Sequence, residues 1–212
     1  METTGLIRNK YWMLKGYNER LNNEAFDDTS LTDEFQKEVY EYAAEVFDRE
    51  NLLGVIDVGC GSGFKLIKNF PDCWTFGLDL EPTVSWLKQT YSKRNWGSLD
   101  LESKDIEAEM PYTCSALVIC ADVIEHIPDP DKLMMFLRNL RPHKLVLSTP
   151  DRGLLPDLQA DFNPAGPPVN PCHVREWSFV EFEAYVQQFF KMDAHFISNK
   201  EQGTQVMLCS SL

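Results

Sequence analysis

The stretch Val55-Ile56-Asp57-Val58-Gly59-Cys60-Gly61-Ser62-Gly63-Phe64 decides how this chain folds. An apolar run carries an acid near its end, and three glycines follow at alternate positions. Val55–Val58 reads as a buried strand and Ser62–Phe70 as a helix stopped by Pro71. Strand, glycine turn and helix in that order put backbone N–H groups and a helix start at one edge of a sheet. A tight turn without a ligand is one reading, although three alternating glycines exceed what such a turn requires.

Outward from this stretch the pattern repeats. On the N-terminal side, Phe35, Val39, Tyr42, Ala43 and Val46 recur at helical spacing, with Ser30 and Asp33 as a capping box. On the C-terminal side, Trp74–Leu78 is a second strand, and Pro82 starts a helix running to about Ser92. Leu117–Cys120 is a continuous apolar run, as a strand buried on both faces should be. Asp129 caps a helix with Pro130 in its first position and Pro142 beyond its end, and Lys144–Ser148 is the next strand. Ser178 and Glu181 form another capping box, opening a helix to Phe189. Two strand-like pieces close the chain, near Ala194–Ile197 and Gln205–Cys209, with only a short polar segment around Gly203 between them. Alternating strands and helices predict a mostly parallel α/β sheet, and the last two strands predict a hairpin that leaves one strand antiparallel.

Composition sets the outer limits. The 212 residues, 43% of them hydrophobic, suit a single domain, 1–212, with a helical N-terminal cap over 1–50. Pro150 to Trp177 holds six of the twelve prolines and no periodicity, which marks 150–177 as a functional loop over a substrate. No apolar run reaches the ~18 residues of a membrane span, and the opening METTGLIRNKYW lacks the apolar segment of a signal peptide. The six cysteines (60, 73, 114, 120, 172 and 209) include no C-x-x-C pair, so the expectation is a cytoplasmic protein without a zinc site or a disulfide framework. A net charge of −13 disfavours nucleic acid as a partner.

The acids define the ligand. Asp57, just before the first glycine, would repel a pyrophosphate, and the dinucleotide fingerprint G-x-G-x-x-G/A has Phe64 in its last place. An amine would instead welcome Asp57. Asp79 ends the strand WTFGLD twenty residues after Gly59, where an acid accepts hydrogen bonds from ribose hydroxyls. An amine, a close backbone approach and a ribose together describe S-adenosylmethionine.

With these residues in place the sequence resembles a class I S-adenosylmethionine-dependent methyltransferase. DVGCGSG resembles the first motif of that family, GLDLEP the second, GSLDLES the third, LVICADVIEHIPDP the fourth-strand motif and LRPHKLVLSTPDR the fifth strand. The resemblance runs from about Val39 to Cys209. It implies a Rossmann-like seven-stranded sheet with helices on both faces and an antiparallel last strand. It also implies cofactor contacts from Asp57, Gly59, Gly61, Gly63, Asp79, Leu80, Asp100, Leu101 and Asp122. Ala116 stands where many relatives carry an Asp, usually a structural one.

Methyl transfer to a hydroxyl needs alignment, exclusion of water and removal of a proton. His126, after the fourth strand, and His173, in the proline-rich loop, are the candidates for base or acceptor contact; a structural role for His126 is the alternative. His143 and His195 read as structural or surface residues. Asp122-x-x-Glu125-His126 is similar to the Glu-x-x-Glu-His of ubiquinone-pathway O-methyltransferases and of small-RNA 3′-terminal 2′-O-methyltransferases. In the latter these residues and a later His, here His173, hold a divalent metal. With Asp122 in place of Glu, no metal is assigned at this level. The segment STPDR…NPCHVREWSFVEFEAY also looks like methyltransferases of bacterial glycan and natural-product pathways, which implies a substrate loop containing His173, Arg175 and Glu176. Tyr11, with Trp12 and Tyr17, is read as a lid over the site or as an aromatic packing patch. The leading expectation is O-methylation of a small-molecule or sugar acceptor. The alternatives are a metal-dependent RNA 2′-O-methyltransferase, an NAD-dependent oxidoreductase and a non-catalytic cofactor-binding module.

Overall fold

The computed structural model describes residues 9–25, 29–103 and 116–212; Cys114 and the first eight residues lie outside them. Seven strands form one sheet: β1 (Gly54–Val58), β2 (Trp74–Asp79), β3 (Asn95–Ser98), β4 (Ala116–Ala121), β5 (Lys144–Pro150), β6 (Lys191–Asn199) and β7 (Thr204–Ser210). Their order is β3-β2-β1-β4-β5-β7-β6. The first five strands pair in parallel, while β7 runs antiparallel to both β5 and β6. β1 and β4 lie at the centre and are buried along their whole length, which is why they read as unbroken apolar runs.

The period of two along these strands sorts side chains to two faces. Val55, Leu117, Ile119 and Val146 join Val39, Tyr40 and Val46 of helix α1 (Lys37–Arg49) with Leu66 and Leu87 of α2 (Phe64–Asn69) and α3 (Thr83–Thr90). Ile56, Val118, Leu145 and Leu147 pack on the other face with Leu133 and Leu137 of α4 (Pro130–Asn139) and Phe182 of α5 (Phe179–Val186). The described residues contain no helix long and apolar enough to cross a membrane.

Local rules hold where the caps are local. The Asp129 carboxylate accepts from Asp131 N at 3.3 Å with Pro130 opening α4, and the Ser178–Glu181 box forms at the start of α5. α5 stops at Val186, short of Phe189. The box expected at Ser30 and Asp33 does not form, because Asp33 pairs with Lys68 and the Ser30 carbonyl accepts from the Ser62 hydroxyl. α1 therefore begins only at Lys37, and Phe35, expected on its apolar face, is 62% exposed. β3 escapes a periodicity reading because its sequence is NWGS. Trp96 makes it a strand by packing on Gly77, where an added Cβ would lie 2.4 Å from the indole.

Candidate active site

The glycine loop leaves β1 with φ of +77° at Gly59, +52° at Gly61 and +68° at Gly63, a region that L side chains avoid. Gly59 N and Cys60 N donate to Leu78 O at 2.8 and 3.0 Å, which holds the loop against the end of β2. Asp79 accepts from Gly61 N and from Leu80 N, each at 2.7 Å. A Cβ on Gly59 would meet Val123 Cγ2 at 2.4 Å, so the loop also packs directly against the chain leaving β4. These elements enclose a cavity of ≈ 270 Å³ lined by Gly59, Gly61, Asp79, Leu80, Asp100, Leu101, Asp122 and His126, among others. The strand ends thus gather seven of the nine residues named from the sequence for the cofactor.

Asp57 and Gly63 stand behind the cavity wall. Gly63 is a packing glycine, its missing Cβ occupied by the Trp96 ring at 2.6 Å. Asp57 is fully buried; its Oδ2 accepts from the Tyr40 hydroxyl at 2.9 Å and its Oδ1 has no partner. Burial pushes its pKa up to about 7, against the opposing pull of the Tyr40 hydroxyl and the Lys65 charge.

The unfolded chain releases this proton near ~3.9 and the folded chain near neutrality, so stability falls as pH rises through that window and levels off above it. At ~1.4 kcal/mol per tenfold in proton affinity the cost is roughly 4 kcal/mol. Asp57→Asn keeps an acceptor for Tyr40 and removes the charge. Its thermal midpoint should exceed that of the parent at about pH 8 and converge on it towards about pH 4. A constant difference across the range would refute a buried, shifted Asp57.

The second cluster forms where β4 ends. Asp122, at φ +52°, turns the chain into a short 3₁₀ turn, Ile124–His126. Glu125 is fully buried; its Oε2 accepts from Thr149 Oγ1 at 3.0 Å and its Oε1 has no hydrogen-bond partner. Burial, reinforced by the Asp122 charge, pushes its pKa well up. His126 Nδ1 donates to Cys172 O at 3.0 Å, and burial pushes this imidazole down to about 4, so the ring is neutral. His173 Nδ1 meets Glu176 Oε1 at 2.7 Å, and its Nε2 meets Asn170 Nδ2 at 3.0 Å. The two rings lie 4.8 Å apart, edge to face.

A ligand atom from each of Glu125, His126 and His173 lies within 4.8 Å of the other two. The Cys172 carbonyl can only accept, and the Glu176 carboxylate likewise accepts from His173 Nδ1, so each ring is protonated at Nδ1; the His173 Nε2 lone pair accepts from the Asn170 amide, which a cation would displace. Two imidazole nitrogens beside an unpartnered buried carboxylate oxygen fit a divalent cation. A metal site, left unassigned from the sequence, is therefore chemically available. Asp122 is not in the group, since its Oδ1 accepts from Ser148 Oγ at 2.6 Å instead.

A second cavity, of ≈ 390 Å³, opens beside this cluster and takes in Glu125, His173 and Glu176. It shares Gln36, Lys65, Asp122 and His126 with the first.

Two residues expected to touch substrate do otherwise. Arg175 is fully buried, donating to Glu19 Oε1 at 2.8 Å and to the carbonyls of Ile127 and Pro128 at 2.7 Å each. Its guanidinium also lies over the Tyr11 ring, 4.6 Å from the centroid. Neither Arg175 nor Tyr11 lines either cavity; they clamp the arm of residues 9–25 to the proline-rich segment. His143 sits beside Glu50, and His195 stacks on Phe179, so neither joins the cluster. Gln36, Lys65 and Asn170 were missed. So was Asn23, whose amide donates to both His126 O and Cys172 O. Only Lys65, two residues past Gly63, had a signal in the sequence.

No family model matches the chain. It is 28% identical over 176 residues to the Small RNA 2′-O-methyltransferase of Rattus norvegicus, covering 72% of this chain and 42% of the relative. It is 25% identical over 154 residues to the mitochondrial Ubiquinone biosynthesis O-methyltransferase of Saccharomyces cerevisiae, covering 63% of this chain and 45% of the relative. The chain thus spans less than half the length of these curated relatives. Among solved structures, the methyltransferase domain of bacterial CtHen1 superposes with a TM-score of 0.59 at 21% identity, covering 82% of this chain and 98% of that one. The magnesium protoporphyrin IX methyltransferase of Synechocystis PCC 6803, with bound SAH, superposes at 0.61 with 16% identity and 84% of each chain covered. The seven-stranded order with its antiparallel β7, the glycine loop on β1 and these likenesses agree: the chain has the class I S-adenosylmethionine-dependent methyltransferase fold.

Proposed function

We propose that this chain transfers a methyl group from S-adenosylmethionine to a hydroxyl oxygen of a small polyol, a sugar or a similar small molecule, with a divalent cation at Glu125, His126 and His173. The observation that carries the reading is the meeting of two cavities along one wall at Asp122 and His126, with the three donor atoms on the acceptor side. When bound, the cofactor supplies an electrophilic methyl on a sulfonium, and the cation would lower the pKa of the acceptor hydroxyl. On this reading Asp79 faces the ribose, Leu80 and Leu101 give the adenine an apolar slot, and Glu176 keeps the His173 lone pair aimed at the cluster. Glu125 and the two imidazoles hold the cation, and the depth of Glu125 keeps water from it.

Charge selects the acceptor. Asp122, Glu125, Glu176 and Glu201 line the second cavity of a chain whose net charge is −13, surroundings that favour a neutral acceptor over a phosphate chain. The 28% identity to small RNA 2′-O-methyltransferases favours a second reading, in which the hydroxyl belongs to an RNA terminus. The five described cysteines are free thiols, which supports a reducing, cytoplasmic setting.

Incubation with methyl-labelled cofactor and Mn²⁺ or Mg²⁺ should label monosaccharides or small polyols. Label only in short RNAs would establish the second reading. Tighter binding of NAD than of S-adenosylhomocysteine would sink both.

A further inference from the structure

Phe35 belongs to neither hydrophobic core, yet it lines the second cavity with 62% of its surface exposed. Its spacing in the sequence would place it elsewhere. Were α1 to continue back through position 35, Phe35 would join Val39 and Tyr42 on one stripe of the helix. Gln36 prevents this. It precedes the first turn of α1 with φ +66°, a left-handed conformation that glutamine rarely adopts. Strain of this kind persists only where the surroundings impose it, and it gathers at functional sites.

The surroundings here are ties on either side of Phe35. Gln36 Nε2 donates to Ala121 O at 3.1 Å, at the end of β4. Glu34 O accepts from Gln202 Nε2 at 2.6 Å, in the turn between β6 and β7. Asp33 pairs with Lys68. The backbone under Phe35 is therefore held in place while the ring is kept out of the cores. A lone exposed aromatic needs no explanation by itself. An aromatic on a pinned, strained segment at the wall of a cavity calls for one.

The same wall supplies polar groups. Gln159 lines this cavity, and its Oε1 is buried without a hydrogen-bond partner among the described residues. An unpaired buried acceptor is costly, and a ligand hydroxyl met by a turn of the amide would satisfy it. Pro150 and Leu155 add apolar surface, and Thr32 and Thr204 add hydroxyls. An apolar platform ringed by polar groups suits a ligand with a flat carbon face and a rim of hydroxyls. A pyranose ring has both. An acyclic polyol lacks the face, and a phosphate chain would meet the carboxylates of Asp122, Glu125 and Glu176.

We propose that Phe35 is the stacking platform for the ring of a saccharide acceptor, with Gln159 Oε1 accepting from one of the ring hydroxyls. This rests on the hydroxyl-methylation reading above and narrows it to cyclic acceptors.

Saturation-transfer NMR on the parent protein, with S-adenosylhomocysteine and Mg²⁺ present, should show methyl α-glucopyranoside bound and glucitol bound about tenfold more weakly. Phe35→Ala should weaken the glycoside by ~10-fold, the scale of one aromatic contact with its buried area, and Phe35→Trp should stay within about threefold of the parent. Gln159→Leu should weaken it by ~3–10-fold. With methyl-labelled cofactor, the Phe35→Ala loss should fall on KM rather than kcat, and the thermal midpoint should stay that of the parent. Absence of glycoside binding by the parent, or equal losses of glycoside and glucitol in Phe35→Ala, would overturn the platform. A lowered midpoint in Phe35→Ala would make Phe35 a packing residue and overturn it as well. Saturation reaching the base protons of uridine but not the glycoside would overturn the saccharide in favour of a nucleobase. Glycoside binding that depends on Phe35, without label transfer to any acceptor, would remove the transferase reading and leave the platform standing.

Discussion

His173→Ala and Glu125→Gln are each expected to lower turnover by ~10²–10⁴-fold while S-adenosylhomocysteine affinity stays within about twofold of the parent. Both groups lie on the acceptor side of the shared wall, and neither lines the cofactor cavity. Each variant removes one of three donors drawn from two segments, the turn after β4 and the proline-rich loop. On the metal account a chelator should abolish activity of the parent, and Mn²⁺ or Mg²⁺ should restore it. Restoration should fail in Glu125→Gln, which keeps the shape of the side chain and loses its charge. A histidine acting as a general base predicts the opposite pattern: chelation leaves the parent active, and the alanine variants remain slow. Full activity of both variants in the presence of chelator would remove both roles, leaving alignment alone to drive the transfer.

Arg175→Met should cost about 3–5 kcal/mol of stability, the range for breaking a buried charge pair by removing one partner. The variant leaves the Ile127 and Pro128 carbonyls without their 2.7 Å donors and Glu19 without its cation. It also takes the guanidinium from the Tyr11 face. In a chain of this length each kcal/mol moves the thermal midpoint by ~2–4 °C, so a fall on the order of 10 °C is expected. A substrate-contacting arginine would behave otherwise, raising KM with the midpoint unchanged. That result would return Arg175 to the acceptor pocket.

The fate of Arg175 marks where sequence reading stops. Its neighbours in sequence give no hint that carbonyls 47 and 48 positions away will receive it. The cofactor side was legible because its parts are local: a buried strand, glycines forced to positive φ, and an acid at the next strand end. Asp129 before Pro130 and the Ser178–Glu181 box were legible for the same reason. β3 was not, because NWGS becomes a strand only when Trp96 finds Gly77. The start of α1 was misplaced because a tertiary pair, Asp33 with Lys68, took the residue that would have capped it. The metal-fitting cluster lies between these cases. Its spacing around Glu125 and His126 was visible, but whether His173 would arrive, and whether Asp122 would turn towards Ser148 instead, depended on packing across the sheet edge.

The arm of residues 9–25 carries a consequence for how the protein is made. Asn18 N, Arg20 N and Glu24 N donate to Ala165 O, Val174 O and Pro171 O at 2.7, 2.8 and 3.0 Å, and Asn23 ties the carbonyls of His126 and Cys172 together. Its partners therefore lie about 150 residues later, as the 149-residue separation of Asn23 from Cys172 illustrates. Closing so long a loop costs only modestly more entropy than closing a short one, but contacts this distant in sequence form slowly. At a synthesis rate of ~5–20 residues per second the arm waits roughly 8–30 seconds for its dock to be synthesised. The strands that build the cofactor cavity are translated during that wait. Asn23, Glu24 and Ala25 of the arm line that same cavity, so its wall closes only once the late segment that docks the arm has been made.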